Sequence, residues 1–240
     1  MADPRLRFDD ERERKKGARI SRMFDRIAPT YDLLNHALSL NVDKSWRKIA
    51  VERLRLSGAE RCLDACTGTG DLAIALVQGG AHDVVGSDFA PEMVERARSK
   101  APGVRFLVAD TTRLPFADGE FDVATVGFGV RNLEDLDAGL RDLCRVLRPG
   151  GRLAVLEFSR PRNPLFRAVY LAYFMLVMPM VGNLVSGGAE NAYAYLPRSV
   201  MSFPGPDELS ARLRRAGFAS VEATPLTMGI AWIHLATKGA

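Results

Sequence analysis

Between residues 60 and 160 short apolar runs alternate with amphipathic segments of helical period, the arrangement that builds a largely parallel sheet with helices on both faces. Arg61–Cys66, Val84–Asp88, Val104–Ala109, Phe121–Val126 and Arg152–Phe158 read as strands, each short, apolar and rich in residues that suit a pleated surface. Helices fill the gaps. Asp71–Gln78 is stopped by Gly79-Gly80, and Pro91 suits the first helical position before Glu92–Lys100. Leu136–Leu147 carries apolar residues at 136, 140, 143 and 147 before Pro149-Gly150-Gly151 ends it. Further on, Pro206–Ala216 reads as a helix closed by Gly217, and Ser220–Pro225 with Ile230–Thr237 alternate as a final strand pair. The pattern predicts an α/β fold. Within it Phe166–Ser202 stands apart, because no charged residue occurs from Ala168 to Ala189.

Composition narrows the class. At 240 residues, 47% hydrophobic and 26% charged, the chain suits one folded body, not a disordered or disulfide-stapled one. A net charge of +4 makes no demand for a nucleic-acid partner. The first 22 residues mix eight Lys/Arg with five Asp/Glu, a pattern of a solvated helix or arm and not of a signal peptide. Cys62, Cys66 and Cys144 show no metal-ligand spacing, and a reduced, cytoplasmic protein is expected.

The chemistry begins at Leu63-Asp64-Ala65-Cys66-Thr67-Gly68-Thr69-Gly70-Asp71, a glycine-rich turn between the first strand and a helix, where small residues let a ligand approach the backbone. Cys66 occupies the place of the first glycine in the usual dinucleotide pattern, so the turn alone is a weak signal. Asp88 strengthens it, ending the second strand 18 residues after Gly70, where a carboxylate can accept both hydroxyls of a ribose. Asp110 closes the third strand within reach of an adenine in the same crevice. Each carboxylate alone would be read as a helix cap or turn former. Asp64, Asp88 and Asp110 at the ends of successive strands favour an adenosine-bearing ligand, with a nicotinamide dinucleotide and S-adenosylmethionine both open.

From Asp64 through Asp71, then Asp88, Asp110, Leu114-Pro115-Phe116 with Phe121-Asp122, and Arg145–Gly151, the chain resembles the class I S-adenosylmethionine-dependent methyltransferases, whose core is Rossmann-like. Tyr31–Ser39 with Trp46, and Arg145 through Glu157-Phe158-Ser159, resemble the paired signatures of the ubiquinone/menaquinone biosynthesis C-methyltransferases, and so do Gly127–Asn132 and Glu190–Leu196. The resemblance departs at Asp43, Leu34 and Arg148, where a basic residue, a methionine and a lysine are usual. It implies a seven-stranded sheet, mostly parallel with the last strand antiparallel, and transfer of a methyl group to a ring carbon of a polyprenylated quinol. It also implies that Gly68, Thr69, Gly70, Asp88, Asp110, Thr111 and Gly127 meet S-adenosylmethionine, Asp64 belonging to the same motif.

Methyl transfer from a sulfonium to carbon requires an electron-rich carbon held in line, and no metal. A quinol becomes nucleophilic when a hydroxyl ionises, so a base or a group that stabilises phenolate is expected beside the ring. Arg131, His36 and Tyr31 lie in the family motifs and are the candidates. The competing readings are an ion pair of Arg131 with Glu134 or Asp135, a cap or core hydrogen bond for His36, and packing for Tyr31. His82 and His234 read as structural. Residues 1–42 are expected to form a helical arm, 43–160 the cofactor core, 161–205 an apolar cover over the substrate, and 206–240 the closing helix and strands, all within one domain. In the cover, Phe166, Tyr170, Tyr173 and Phe174 share a helical face, and the run Ala168–Val181 is 14 residues, too short to span a bilayer. Peripheral contact with a membrane and a homodimer stay open. Demethylmenaquinol is the leading acceptor. A ubiquinone-type benzoquinol, both rings, a small molecule methylated on oxygen or nitrogen, and a non-catalytic scaffold are the rivals.

Overall fold

A computed structural model describes residues 22–25, 32, 39, 41–161, 163–172 and 192–240. In chain order its elements are α1 (Val42–Leu54), β1 (Arg61–Ala65), α2 (Asp71–Gln78), β2 (Asp83–Asp88), α3 (Pro91–Lys100), β3 (Arg105–Val108), β4 (Phe121–Gly127), α4 (Leu136–Val146), β5 (Leu147–Phe158), α5 (Pro164–Ala172), α6 (Ala192–Ser202), α7 (Pro206–Arg215), β6 (Phe218–Leu226) and β7 (Ala231–Lys238). The seven strands form one sheet in the order β3-β2-β1-β4-β5-β7-β6. β1 to β5 pair in parallel, and β7 runs antiparallel to both β5 and β6. Both the sheet and its antiparallel last strand agree with the expectation from sequence.

Alternation along the strands explains the two layers of helices. Leu63, Ala65, Ala124, Val126, Leu153 and Val155 pack with Leu140, Leu143, Leu209 and Leu213 of α4 and α7. The intervening Cys62, Val84, Val123 and Ala154 pack with Val51, Leu54, Leu72, Leu76 and Val94 of α1, α2 and α3. Burial of each such leucine side chain contributes roughly 1.5–3 kcal/mol. Asp64 and Thr125 share the parity of Cys62 and Val123, which brings their side chains together under α2.

Most boundaries agree with the sequence pattern to within two residues, and two differ by more. The helix over 136–147 ends at Val146, and β5 begins at once with Leu147 opposite Phe121. Pairing then jumps to Val123 opposite Arg152, so Arg148–Gly151 bulges out of the ladder, with Pro149 lacking an amide donor and Gly150 at φ 73°. The stretch from Val42, ascribed to the arm and the start of the core, is the helix α1. It buries Trp46 against Phe128 and Phe158 at ring separations of 6.1 Å. In the insert, Tyr170 is buried and Phe166 half-buried, while Tyr173 and Phe174 lie outside the described residues. Among the described residues no helix is long and apolar enough to cross a membrane.

Candidate functional site

The order of the strands reverses between β1 and β4, since β1 continues to β2 on one side and β4 to β5 on the other. A crevice at the carboxyl ends of strands at such a switch point is where open α/β sheets bind ligands. Two turns meet there. After β1 the chain passes through Cys66, Gly68 and Gly70 at φ 53°, 55° and 88° before entering α2. A side chain on Gly70 would meet Ala97 and the Phe106 ring at 3.2 Å. After β4 comes Gly129, where an added Cβ would lie 2.3 Å from Cβ of Cys66. The close approach that the missing glycine would have allowed at Cys66 is thus supplied from the opposing turn, a compensation the linear motif does not reveal.

Asp88 is buried at the end of β2, where Oδ2 accepts the Gly68 N–H at 2.8 Å and Oδ1 the Ala90 N–H at 2.9 Å. Burial outweighs these bonds and raises its pKa to about 6. Each carboxylate oxygen can accept about two hydrogen bonds, so Asp88 anchors the glycine turn and retains capacity for a ligand's hydroxyls. Asp64 is fully buried, accepting from Thr67 Oγ1 at 2.6 Å and Thr125 Oγ1 at 2.7 Å, and burial likewise raises it to about 6. Asp64 therefore braces the turn from beneath. Asp110 is exposed and accepts the Thr112 N–H at 2.8 Å, the turn-former geometry weighed against a ligand role. Thr111 is buried with its hydroxyl 3.3 Å from Cys66 Sγ. Gly127, the last residue of β4, faces Leu72, whose Cδ2 would lie 3.0 Å from an added Cβ.

Thr69 joins the glycine turn to the N-terminal segment through a short hydrogen bond to Asp32. Lys100 Nζ, from the end of α3, lies 2.6 Å from both Asp32 and Asp71 and 3.3 Å from Thr69 Oγ1. Arg47 on α1 reaches Asp71 at 3.4 Å and pairs with the buried Asp43. The departure at Asp43 thus carries its own compensating cation. Sequence reasoning missed Lys100, Arg47 and Asp32, because their partners are brought together only by the crossing of helices.

Beyond β4 the 3₁₀ turn Val130–Asn132 places Arg131 at the same edge. Its guanidinium does not make the ion pair with Glu134 or Asp135 that is the competing reading. The carboxylate facing it is Glu157 on β5, with Nη1 2.8 Å from Oε1, and Asp135 instead caps α4 by accepting the Ala138 N–H. Arg131 Nη1 also donates to the Phe128 carbonyl, and Cζ lies 5.6 Å from the Phe158 ring centroid. Its Nε is buried without a hydrogen-bond partner among the described residues. Such an orphan donor costs about 1–3 kcal/mol unless an acceptor arrives. Tyr195 of α6 bonds through its hydroxyl to Asn132 Oδ1 at 3.0 Å, tying the insert to this turn. Burial raises the Tyr195 pKa above its ordinary value.

Tyr31 and His36 lie outside the described residues. His82 is exposed just before β2, away from the crevice. His234 is buried on β7 with Nε2 3.0 Å from the Pro206 carbonyl, and burial lowers its pKa, in keeping with a structural part.

The sequence matches the ubiE/COQ5 methyltransferase family over residues 12–238. It is 46% identical over 228 residues to the demethylmenaquinone methyltransferase of Deinococcus radiodurans, covering 93% of this chain and 94% of that one. Against the demethylmenaquinone methyltransferase of Thermus thermophilus it is 49% identical over 221 residues, covering 90% and 100%. The ubiquinone/menaquinone biosynthesis C-methyltransferase of Geobacter sp. is 44% identical, covering 93% and 98%. Among solved structures, a SAM-dependent methyltransferase of Thermotoga maritima superposes with a TM-score of 0.65 at 21% identity over 90% of this chain and 98% of that one. The cyclase SpnF reaches 0.70 at 19% identity over 93% and 97%. A cyclase and a methyltransferase on one frame show that the fold does not choose the reaction.

Proposed function

Because the chain belongs to the ubiE/COQ5 methyltransferase family, we propose that it methylates a ring carbon of demethylmenaquinol with S-adenosylmethionine as donor, giving menaquinol. The observation that carries this reading is near-complete, two-sided coverage by relatives named for that reaction. The residues at the switch point suit the donor. Its ribose would be held by Asp88 beside the glycine turn Gly68–Gly70, and its adenine by Asp110 and Thr111. Thr69 and Gly127 would border it, and Asp64 would act from below by fixing Thr67. Spare acceptor capacity on Asp88 and the approach allowed at Gly68 and Gly70 support the assignment. When bound, the donor supplies an electrophilic methyl group on a cationic sulfur.

The chain's own task is to prepare the acceptor. Loss of the quinol hydroxyl proton leaves a phenolate whose charge spreads to the ortho ring carbon. As the new carbon–carbon bond forms there, the carbon–sulfur bond breaks and sulfur departs as a neutral thioether. That carbon then loses its proton and the oxygen regains one, restoring the aromatic quinol, so the net release is one proton. Arg131 presents a buried N–H to the phenolate oxygen, where a donor in a dry site is worth far more than in water. Guanidinium keeps its proton, so Arg131 stabilises the phenolate and does not act as base. Tyr31 and His36 remain candidates for accepting the proton. The cover would shelter the prenyl chain. In it Tyr170 and Val200 pack with Leu196, Ile230 and Phe158, and Leu165 stands 77% exposed, so we place the polyprenylated ring beneath it and the tail toward a membrane surface.

An anaerobic assay with methyl-labelled S-adenosylmethionine tests this, offering reduced demethylmenaquinone and a reduced demethylated benzoquinone in parallel. Label in the naphthoquinol alone is the expected result. Label in both would establish a dual enzyme, the reading favoured by the joint name of the Geobacter relative. Absence of label in either, despite donor binding, would overturn methyl transfer to quinols.

A further inference from the structure

The pair Arg131–Glu157 is sealed from water, with side chains 6% and 2% exposed. Withdrawing two charges from water offsets much of their attraction, so a buried pair is weak evidence for stability and calls for another reason. The geometry supplies one. Glu157 is held on β5, where Oε1 takes both the Phe158 N–H at 2.9 Å and Arg131 Nη1 at 2.8 Å, while Oε2 faces the Arg131 backbone N–H at 3.4 Å. The Phe128 carbonyl engages the same Nη1, and the Phe158 ring flanks the guanidinium. A guanidinium is planar, so fixing one nitrogen and one face fixes the direction of the remaining N–H groups. What remains at Nε is a buried donor without a partner among the described residues.

We propose that Glu157 is a positioning residue for methyl transfer, holding the Arg131 guanidinium so that its Nε–H meets the ionised oxygen of the acceptor ring. The proposal rests on the reading of Arg131 as the phenolate-stabilising group. Glu157 acts through Arg131, because its oxygens are turned to Arg131 and to the backbone. It also balances the arginine's charge, so the crevice offers a directed donor in place of a loose cation. Without Glu157 the guanidinium keeps its charge and loses its aim, and the loss falls on the transition state more than on binding.

The test compares wild type, Glu157→Gln, Arg131→Gln and the double variant, reading kcat and KM for reduced demethylmenaquinone, the dissociation constant for S-adenosylmethionine, and thermal unfolding. Glu157→Gln keeps the size and an acceptor oxygen but removes the charge. The expected result is a fall in kcat of about tenfold or more, with donor affinity unchanged within about twofold, and no further fall when Glu157→Gln is added to Arg131→Gln. A kcat for Glu157→Gln within about twofold of wild type would overturn the proposal, as would losses that multiply in the double variant. If Arg131→Gln keeps wild-type kcat, the reading of Arg131 falls and the proposal with it. If Arg131→Gln is impaired while Glu157→Gln is not, only the role of Glu157 falls. Should Glu157→Gln fail to fold, Glu157→Asp decides. Its carboxylate is drawn back by one methylene, and it must lower kcat at unchanged donor affinity for the proposal to stand.

Discussion

The role proposed for Arg131 rests on a fork geometry, which sets an expectation for its closest substitute. Lysine keeps the positive charge but offers a point cation on a flexible stem, unable to span the Phe128 carbonyl and Glu157 while presenting a further N–H. Arg131→Lys should therefore lower kcat by about a hundredfold, the scale of losing one transition-state donor, with donor affinity retained. Steady-state kinetics with the reduced quinol read this directly, and a wild-type kcat would remove Arg131 from the chemistry. The binding role proposed for Asp88 predicts the opposite split. In Asp88→Asn the amide nitrogen cannot accept, so either the Gly68 or the Ala90 N–H loses its partner, at a cost of about 1–3 kcal/mol. Calorimetric titration with S-adenosylmethionine should show affinity weaker by about tenfold to a hundredfold, and unchanged affinity would exclude Asp88 from the ribose contact. Asp88 could be picked from sequence because a carboxylate ending a strand is a local signal, whereas Asp110, expected to close the third strand, lies two residues past Val108, where β3 ends. Glu157 could not, since it meets Arg131 across 26 residues through adjacent strands, and the Tyr195 contact with Asn132 spans 63.

At the scale of elements, the glycine turn after β1 works only with the turn after β4. Cys66 holds φ 53° where a glycine would be unstrained, and its Cβ fills the space that Gly129 leaves. Gly129→Ala should force the two turns apart and weaken S-adenosylmethionine binding more than about tenfold, since a clash between two Cβ atoms at 2.3 Å cannot be absorbed by side-chain rotation. Adding Cys66→Gly removes the opposing Cβ and the positive-φ strain together, so the double variant should recover most of that affinity. Equal affinities for both variants would show that the turns do not constrain one another. Helices α2, α3 and α7 were readable to within a residue or two because glycine or proline marks their ends. β5 was not, since Leu147 completes an apolar helical stripe and only its pairing with Phe121 makes it a strand. α1 was hidden for the converse reason. Its value lies in packing Trp46 on two distant phenylalanines, a tertiary contact without a local signature. The link from α6 is equally non-local, and Tyr195→Phe should raise KM for the quinol several-fold by freeing the cover from Asn132, with kcat less affected.

The molecule as a whole couples these carboxylates to its stability. Seven strands and two packed faces could be anticipated because short apolar runs alternate with amphipathic helical segments through the core and a strand pair closes the chain. The same architecture buries Asp64 and Asp88 at the ends of central strands and raises each from 3.8 to about 6. Their unfolded-state values are lower, so the folded protein binds the proton more tightly. The stability they contribute is therefore full below about pH 4 and is lost as pH rises through about 6. Glu60 acts in the opposite sense. Burial alone would raise it, but hydrogen bonds from the Ser57 region and Arg152 lower it from 4.5 to about 2, so its contribution is present above 4.5 and lost as pH falls through about 2. His234 acts in the same sense as Glu60, because burial lowers its pKa from 6.5 and its contribution is lost as pH falls. Asp64→Asn isolates one component, because the Thr67 and Thr125 hydroxyls can rotate to satisfy an amide. Thermal unfolding of the ligand-free protein at intervals from about pH 4 to pH 7.5 should show a smaller loss of Tm in Asp64→Asn than in wild type, with the two curves parting across about pH 4–6. Parallel curves would mean that Asp64 ionises with an ordinary pKa and that the burial beneath the glycine turn does not govern its charge. S-adenosylmethionine should act in reverse, because a cationic ligand whose hydroxyls bond Asp88 favours the ionised carboxylate and adds more to Tm above about pH 6 than below it. These two carboxylates thereby support the ligand-free fold least in the pH range where the donor adds most.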